Sequence, residues 1–360
     1  MAPNGRFERL LGATLLMGDS DNLFGQIVCK ENLYRAVYNA AKGKRYREST
    51  AGFLFHLEKQ VQLIRTALAS GEYRHGKYRT FTLYDPKKRE ISAASFRDRV
   101  VHHALCDVIE PMLDKTLIYD TYACRKGKGT HAAIKRAQKF IFLNKYVFHG
   151  DIRKYFQSID HVTLKTLFSA RIKDPEARKI MGHIIDSSPA SVMGKGLPIG
   201  NLTSQLLANL YLDPLDRFVK HELRQKYYLR YMDDFLIFSN DRERLAGIKD
   251  QCRGFVKEML GLDLHEAKSQ IFDTRKGFGF LGFRMYKAGR RLNTDNVRRF
   301  KKRIGEQSAA HKRGELTLEK MKTSVRCWAA HAKHANTYAL RKTLFRSELF
   351  QENGLARQLF

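Results

Sequence analysis

Apolar residues recur at three- and four-residue spacing through Asn32–Tyr38 and Phe53–Leu57, which predicts helices ahead of Gly71 and Tyr73. Tyr78–Tyr84 then alternates as a strand does, and Asp85-Pro86-Lys87-Lys88 reads as a turn into Arg89-Glu90-Ile91. A helical pattern returns from Ser95 to Met112, with Pro111 near its end. Two strand-like units follow, Tyr146–Ile152 and Tyr227–Phe238; the second has apolar runs on both sides of Asp233-Asp234, as a β-hairpin with acids at its turn would. Between them lie a helical stretch over 162–186, the Gly/Pro-rich loop Met193–Gly200 and an apolar helix from Leu202 to Val219. After Tyr286 the pattern becomes one of Lys/Arg-rich amphipathic helices, and a boundary is placed there. Leu10–Met17, bounded by Glu8 and Asp19, is too short to span a bilayer and reads as a helix face, not a signal peptide.

The chain has 360 residues, of which 43% are hydrophobic, enough for a sizeable core in two or three structural units. Mean hydropathy of −0.46 argues for a soluble protein without a membrane span. Sixty-six Lys and Arg against 37 Asp and Glu give a formal charge of +29, which points to a polyanionic partner, nucleic acid or an anionic membrane surface. The five cysteines (29, 106, 124, 252 and 327) are scattered without a C-x-x-C pair, so a disulfide framework or cysteine zinc site is not expected and a cytoplasmic location is. His102, His103, His131, His331 and His334 show no ligand spacing and read as structural or RNA-facing.

Two adjacent acids inside the apolar run around Tyr231-Met232-Asp233-Asp234 are costly unless they meet a cation or a base. A plain hairpin turn is the alternative for the dipeptide alone. Asp151 ends the other strand-like unit. If the two strands are neighbours, Asp151 and Asp233 can share two Mg²⁺ ions about 3.5–4 Å apart, which activate a 3′-hydroxyl and steady a leaving pyrophosphate. Hard oxygen ligands suit Mg²⁺, and no nucleophilic side chain is needed.

Asp151-Ile152-Arg153-Lys154-Tyr155-Phe156 with Ser158-Ile159-Asp160 resembles the first catalytic motif of reverse transcriptases, and Tyr231–Asp234 resembles their catalytic hairpin. Arg89-Glu90-Ile91 with Phe96–Leu105, and Tyr122–His131, are similar to blocks of the bacterial retroelement enzymes. Lys268 after Leu262-Asp263-Leu264 resembles the motif with a triphosphate-side lysine, and Phe280-Leu281-Gly282-Phe283 the primer-grip turn. The blocks stand in family order over about residues 75–290. Most of the family carries Gln-Gly and then Ser-Pro before the central helix; here the stretch is Ile199-Gly200-Asn201-Leu202-Thr203-Ser204-Gln205. That form, and Trp328–Thr337, resemble the reverse transcriptases of diversity-generating retroelements.

The resemblance implies an α+β right-hand polymerase. Fingers would cover 1–95 and 162–195, a palm with a small antiparallel sheet 96–161 and 196–285, and a helical basic thumb 286–360. Asp151, Asp233 and Asp234 would be the catalytic and metal-binding acids, joined by the Ile152 carbonyl. Arg89, a bidentate phosphate donor, would reach the incoming nucleotide with Lys87, Phe156, Ile199, Gly200, Gln205 and Lys268. Phe156 would exclude a 2′-hydroxyl, favouring deoxynucleotides. Tyr231, Met232, Leu281, Gly282, Arg298, Arg299, Lys301 and Lys302 would hold primer and template, the basic residues by salt-sensitive phosphate contacts. The implied function is copying a template-repeat RNA into cDNA with errors at adenines, giving an RNA/cDNA duplex from dNTPs, beside a small basic pentameric accessory protein. The alternatives are a retron, group II intron-type or defence-associated reverse transcriptase, or an inactive basic RNA-binding scaffold.

Overall fold

A computed structural model describes residues 22–84, 88–189 and 192–359. Lys87 and the run Leu10–Met17 lie outside the described residues. The chain divides into two compact units: 22–127, 150–235 and 247–269 form one, while 128–149, 236–246 and 270–359 form the other.

The first unit opens with α1 (Leu23–Val28), α2 (Lys30–Ala41), α3 (Glu48–Phe55) and α4 (Leu57–Ala69). In α2, Leu33, Ala36, Val37 and Ala40 form the buried stripe that a 3.6-residue period demands. That stripe packs along α5 (Phe96–Thr116), which runs on past Pro111. Asp98 in α5 is buried yet fully engaged: it accepts from the Tyr73 hydroxyl (2.9 Å), the Ser95 hydroxyl (2.7 Å) and the Gly76 amide (3.1 Å), while Ser95 caps the helix. The hairpin β1 (Arg79–Leu83) and β2 (Arg89–Ala93) pairs antiparallel, Leu83 opposite Arg89.

Two expected helices are each divided by a proline. The 162–186 stretch becomes α8 (His161–Arg171) and α9 (Pro175–Asp186), because Asp174 caps the second helix through the Ala177 amide and Pro175 opens it; the one-turn α7 (Tyr155–Ser158) comes before them. Past the Gly/Pro-rich loop, α10 (Leu202–Tyr211) stops at Leu212. Pro214, which lacks an amide to continue the ladder, sits in α11 (Asp213–Arg217), and a single π turn over Phe218–Glu222 closes the segment.

A four-stranded sheet has the order β4-β5-β3-β6, with β3 at Tyr146–Asp151, β4 at Tyr228–Tyr231, β5 at Asp234–Ser239 and β6 at Gln270–Asp273. Met232 and Asp233 alone connect β4 to β5, and Met232 takes a left-handed φ of 58°. Gly150 is dictated by packing: a Cβ there would lie 2.2 Å from the Phe235 ring. Helix α12 (Arg242–Leu260) follows β5.

The second unit contains α6 (Thr130–Leu143) and the antiparallel meander β7 (Phe278–Phe280), β8 (Phe283–Tyr286) and β9 (Gly289–Leu292). Its helical end consists of α13 (Thr294–Lys312), α14 (Leu318–Ala332), α15 (Tyr338–Phe345) and α16 (Glu348–Glu352). The Phe300 ring of α13 stacks flat on Trp328 of α14, centroids 3.9 Å apart, and the indole N–H donates to Asn296 at 2.9 Å. No helix among the described residues is long and apolar enough to cross a membrane.

Candidate active site

Asp151 stands at the last residue of β3, and Asp233 in the β4–β5 turn. The backbone brings them together: the Ile152 amide donates to the Asp233 carbonyl at 3.3 Å, so the end of β3 abuts the turn. Asp151 is nearly buried, its amide donates to the Ser269 hydroxyl at 3.2 Å, and its carbonyl accepts from the His265 amide at 2.8 Å. Lys268 Nζ lies 2.8 and 2.9 Å from the two Asp151 carboxylate oxygens. Asp233 sits differently. Burial, then the adjacent Asp234 and Asp151, push its carboxyl up to about 6, and Lys268 only partly offsets them.

A buried network that the residue pattern did not reveal sits behind this turn. Arg230, fully buried in β4, donates from Nε and Nη2 to the two Asp216 carboxylate oxygens at 2.7 and 2.6 Å. It also donates to the Asn209 side-chain and main-chain oxygens (3.3 and 3.1 Å) and to the Met232 carbonyl at 3.0 Å. Asp216 accepts in addition from Tyr228 (2.5 Å) and Thr121 (3.0 Å). Burial alone would lower the guanidinium's pKa; Asp216 overrides it and raises the pKa. The Arg230 main chain exchanges bonds with Asp120 and Tyr122. The Arg230 side chain therefore fixes the β4–β5 turn to α10 and α11, and its main chain fixes it to the Asp120–Tyr122 segment. An Arg within an apolar strand was the available signal, but its partners are distant in sequence.

Of the predicted nucleotide residues of this unit, Arg89, Phe156, Ile199 and Gly200 fall around one loop, whereas Lys268 stands at Asp151 and Gln205 within α10. The Ser92 amide of β2 donates to the Ile199 carbonyl (3.2 Å), and the Asn201 side chain donates to the Ser92 carbonyl (2.8 Å), so Arg89 projects from a hairpin fixed to that loop. The Leu197 amide donates to the Phe156 carbonyl at 2.7 Å, tying the loop to α7. Gly200 has φ of 109°, and a Cβ on it would meet Ile91 at 3.0 Å. A cavity of about 170 Å³ opens here, lined by Glu90, Gln157, Leu197 and Ile199 among others. Arg89 and Lys268 are exposed, Phe156, Ile199 and Gln205 half-buried. Lys268 is engaged with Asp151, a partner its expected phosphate role did not include.

In the second unit, Leu281 and Gly282 form the β7–β8 turn, both with left-handed φ (47° and 84°). Arg298, Arg299, Lys301 and Lys302 lie on the exposed side of α13, whose other side buries Phe300 and Ile304; Arg298 pairs with Asp295 and Lys302 with Glu306.

Among the described residues no three His, Cys, Asp or Glu side chains converge as a closed metal centre. The donor set nevertheless fits divalent cations that complete their shell with substrate oxygens. Asp233 resists ionising beside its like-charged neighbours, which a cation would relieve, and the Lys268 ammonium already covers both Asp151 oxygens as a cation would. Asp151, Asp233, Asp234 and the Ile152 carbonyl are the groups that would hold it.

The model of the family "Reverse transcriptase (RNA-dependent DNA polymerase)" matches residues 84–285, from the β1–β2 hairpin through β8. The chain belongs to this family: it is an RNA-directed DNA polymerase with an α+β fold, in a family that uses divalent metal ions. It is 26% identical to Protein YkfC of Escherichia coli K12 over 274 residues, covering 63% of this chain and 71% of that one. It is 24% identical to the group II intron-encoded protein LtrA of Lactococcus lactis over 327 residues, covering 71% of this chain; it spans 54% of LtrA's length. Among solved structures, apo telomerase from Candida tropicalis, truncated from its C-terminal domain, aligns with a TM-score of 0.48 at 12% identity, covering 62% of this chain and 55% of that one.

Proposed function

We propose that this polymerase is the reverse transcriptase of a diversity-generating retroelement. In this reading it copies a template-repeat RNA from dNTPs into cDNA mutagenised at adenines, in the cytoplasm of a bacterial or phage-infected cell, beside a small basic pentameric accessory protein. The observation that carries it is Ile199 in place of the family's Gln. A side-chain amide there would hydrogen-bond an incoming nucleotide, whereas Ile can only pack against it, lowering discrimination by about 1 kcal/mol, or about fivefold. Two Mg²⁺ ions at Asp151 and Asp233 would activate the primer 3′-hydroxyl and neutralise charge on the leaving pyrophosphate. The protein's own part is positioning: Arg89 grips phosphate oxygens, Phe156 excludes a 2′-hydroxyl, Gly200 and Gln205 shape the nucleotide loop, and Tyr231 and Met232 hold the primer end. Fingers at 1–95 and 162–195, palm at 96–161 and 196–285, and thumb at 286–360 complete the assignment, with Leu281, Gly282 and the basic face of α13 along primer and template.

Similarity to LtrA favours a second reading, a group II intron-type reverse transcriptase. Primer extension on RNA with Mg²⁺ separates the readings. The wild type should extend and misincorporate opposite template adenine, Asp233→Ala should not extend, and Ile199→Gln should lower the adenine errors about fivefold. Accurate copying by the wild type, or an error spectrum untouched by Ile199→Gln, would overturn the retroelement assignment in favour of the intron type. Extension by Asp233→Ala would overturn the active site itself.

A further inference from the structure

We propose that the second unit carries a binding site for single-stranded RNA, built from α6, the β8–β9 turn and the segment after α14, and separate from the acids that carry out polymerisation. A cavity of about 990 Å³ opens there. Its rim bears Lys135, Lys139, Lys287, Arg290 and Lys333, and among the described residues no carboxylate lines it. Its apolar part includes Phe142, 68% exposed, and the adjacent Leu143, 53% exposed, so a ring and an aliphatic side chain face solvent together among the cations.

The sequence makes this surface by simple periodicity. Lys135, Lys139 and Phe142 recur at i, i+4 and i+7 of α6, so two ammonium groups and a ring share one stripe. The opposite stripe, Ala133, Ile134, Ala137 and Ile141, is buried. Lys287 and Ala288 are the two residues of the β8–β9 turn, where Tyr286 pairs with Gly289. The walls are pinned to one another: Gln138 donates to the Tyr286 carbonyl at 2.9 Å, the Asn336 amide donates to the Arg290 carbonyl at 3.0 Å, and Arg290 Nε donates to the His334 carbonyl. The cations are thus held around a preformed hollow.

Cations around an apolar floor with an exposed ring match an unpaired nucleotide strand, whose bases stack on aromatic faces while its phosphates meet Lys and Arg. A duplex would hide its bases from Phe142. An acidic protein segment shares the charge, and it is an outcome of the test. The proposal adds to the polymerase reading without using its chemistry, so the two can fail separately: loss of extension in Asp233→Ala tests one, loss of strand binding tests the other.

The test uses the full chain and a fluorescent unstructured single-stranded RNA, titrated at several salt concentrations. The triple variant Lys135→Glu/Lys139→Glu/Lys287→Glu should bind it at least about tenfold more weakly. Its log–log salt slope should fall by about two, since each phosphate contact on a single strand contributes about 0.7. Phe142→Ala should weaken binding several-fold with the salt slope unchanged, which a purely electrostatic surface would not show. The control Lys42→Glu/Lys59→Glu/Arg65→Glu makes the same change of charge on exposed positions of the first unit. Equal losses in both triples, an inert Phe142→Ala, or photocrosslinks from 5-iodouridine RNA that avoid 135–143 and 287–290 would overturn the site. So would displacement of an acidic peptide, rather than RNA, by the mutations.

Discussion

The buried pair of Arg230 and Asp216 offers a quantitative test of how the β4–β5 turn is held. Arg230→Met removes the guanidinium and leaves Asp216 with no cation in a fully buried position. Breaking one side of such a pair costs about 3–5 kcal/mol. Tyr228 and Thr121 still donate to the Asp216 carboxylate, which places the expected loss near the lower end, at about 3 kcal/mol. Asp216→Asn should cost a similar amount by stranding the guanidinium. The double variant Arg230→Met/Asp216→Asn buries no charge, so its loss should fall short of the sum of the singles by about 2 kcal/mol or more. Urea unfolding followed by far-ultraviolet circular dichroism measures all three. Primer extension under conditions where the variants are folded adds a second readout: with the Met232 carbonyl released, kcat should fall in the double variant even though stability is partly recovered. Arg230→Lys should not rescue it, because one ammonium cannot reproduce the fork to Asp216 and the bond to Met232. An additive double variant, or singles costing under about 1 kcal/mol, would refute the reasoning.

Buried His102 has no partner on either ring nitrogen, and burial followed by neighbouring His75 depresses its pKa to about 3. Because the folded value lies below the unfolded 6.5, stability is complete above pH 6.5 and lost as pH falls: about 2 kcal/mol is gone at pH 5. Unfolding profiles of wild type and His102→Leu should diverge by that amount between pH 7 and 5, and parallel profiles would contradict the assignment. Lys268→Met frees Asp151 from its ammonium, so the rise in melting temperature on adding millimolar Mg²⁺ or Mn²⁺ should be larger than in wild type; a smaller rise would show that the lysine does not compete with a cation. Gly200→Ala should cost about 1–3 kcal/mol from its left-handed backbone and the approach to Ile91, with extension reduced in step; an unchanged melting curve would count against the tight loop.

Much of the architecture was legible because it rests on local pattern. The α2 stripe and the pairing of β1 with β2 follow from spacing; the β4–β5 hairpin was legible as well, although its turn is Met232-Asp233 and Asp234 already belongs to β5, one residue earlier than the pair of acids suggested. The approach of Asp151 to the Asp233 turn was legible too, since carboxylates in apolar strands demand a partner. The breaks before Pro175 and Pro214 were less legible: periodicity carries an apolar face straight through a short interruption, while the helix itself cannot continue without an amide. Arg230 with Asp216, and Lys268 with Asp151, escaped the reading for another reason. Each pairing joins segments whose spatial closeness no single stretch of sequence encodes.

The chain contains one tryptophan, and it lies flat against Phe300 with its indole nitrogen bonded to Asn296. Its ultraviolet emission is therefore a label-free optical reporter confined to the C-terminal helices. A shift in wavelength or quenching during an RNA titration reads out events in that bundle alone, with no dye attached and no competing indole elsewhere.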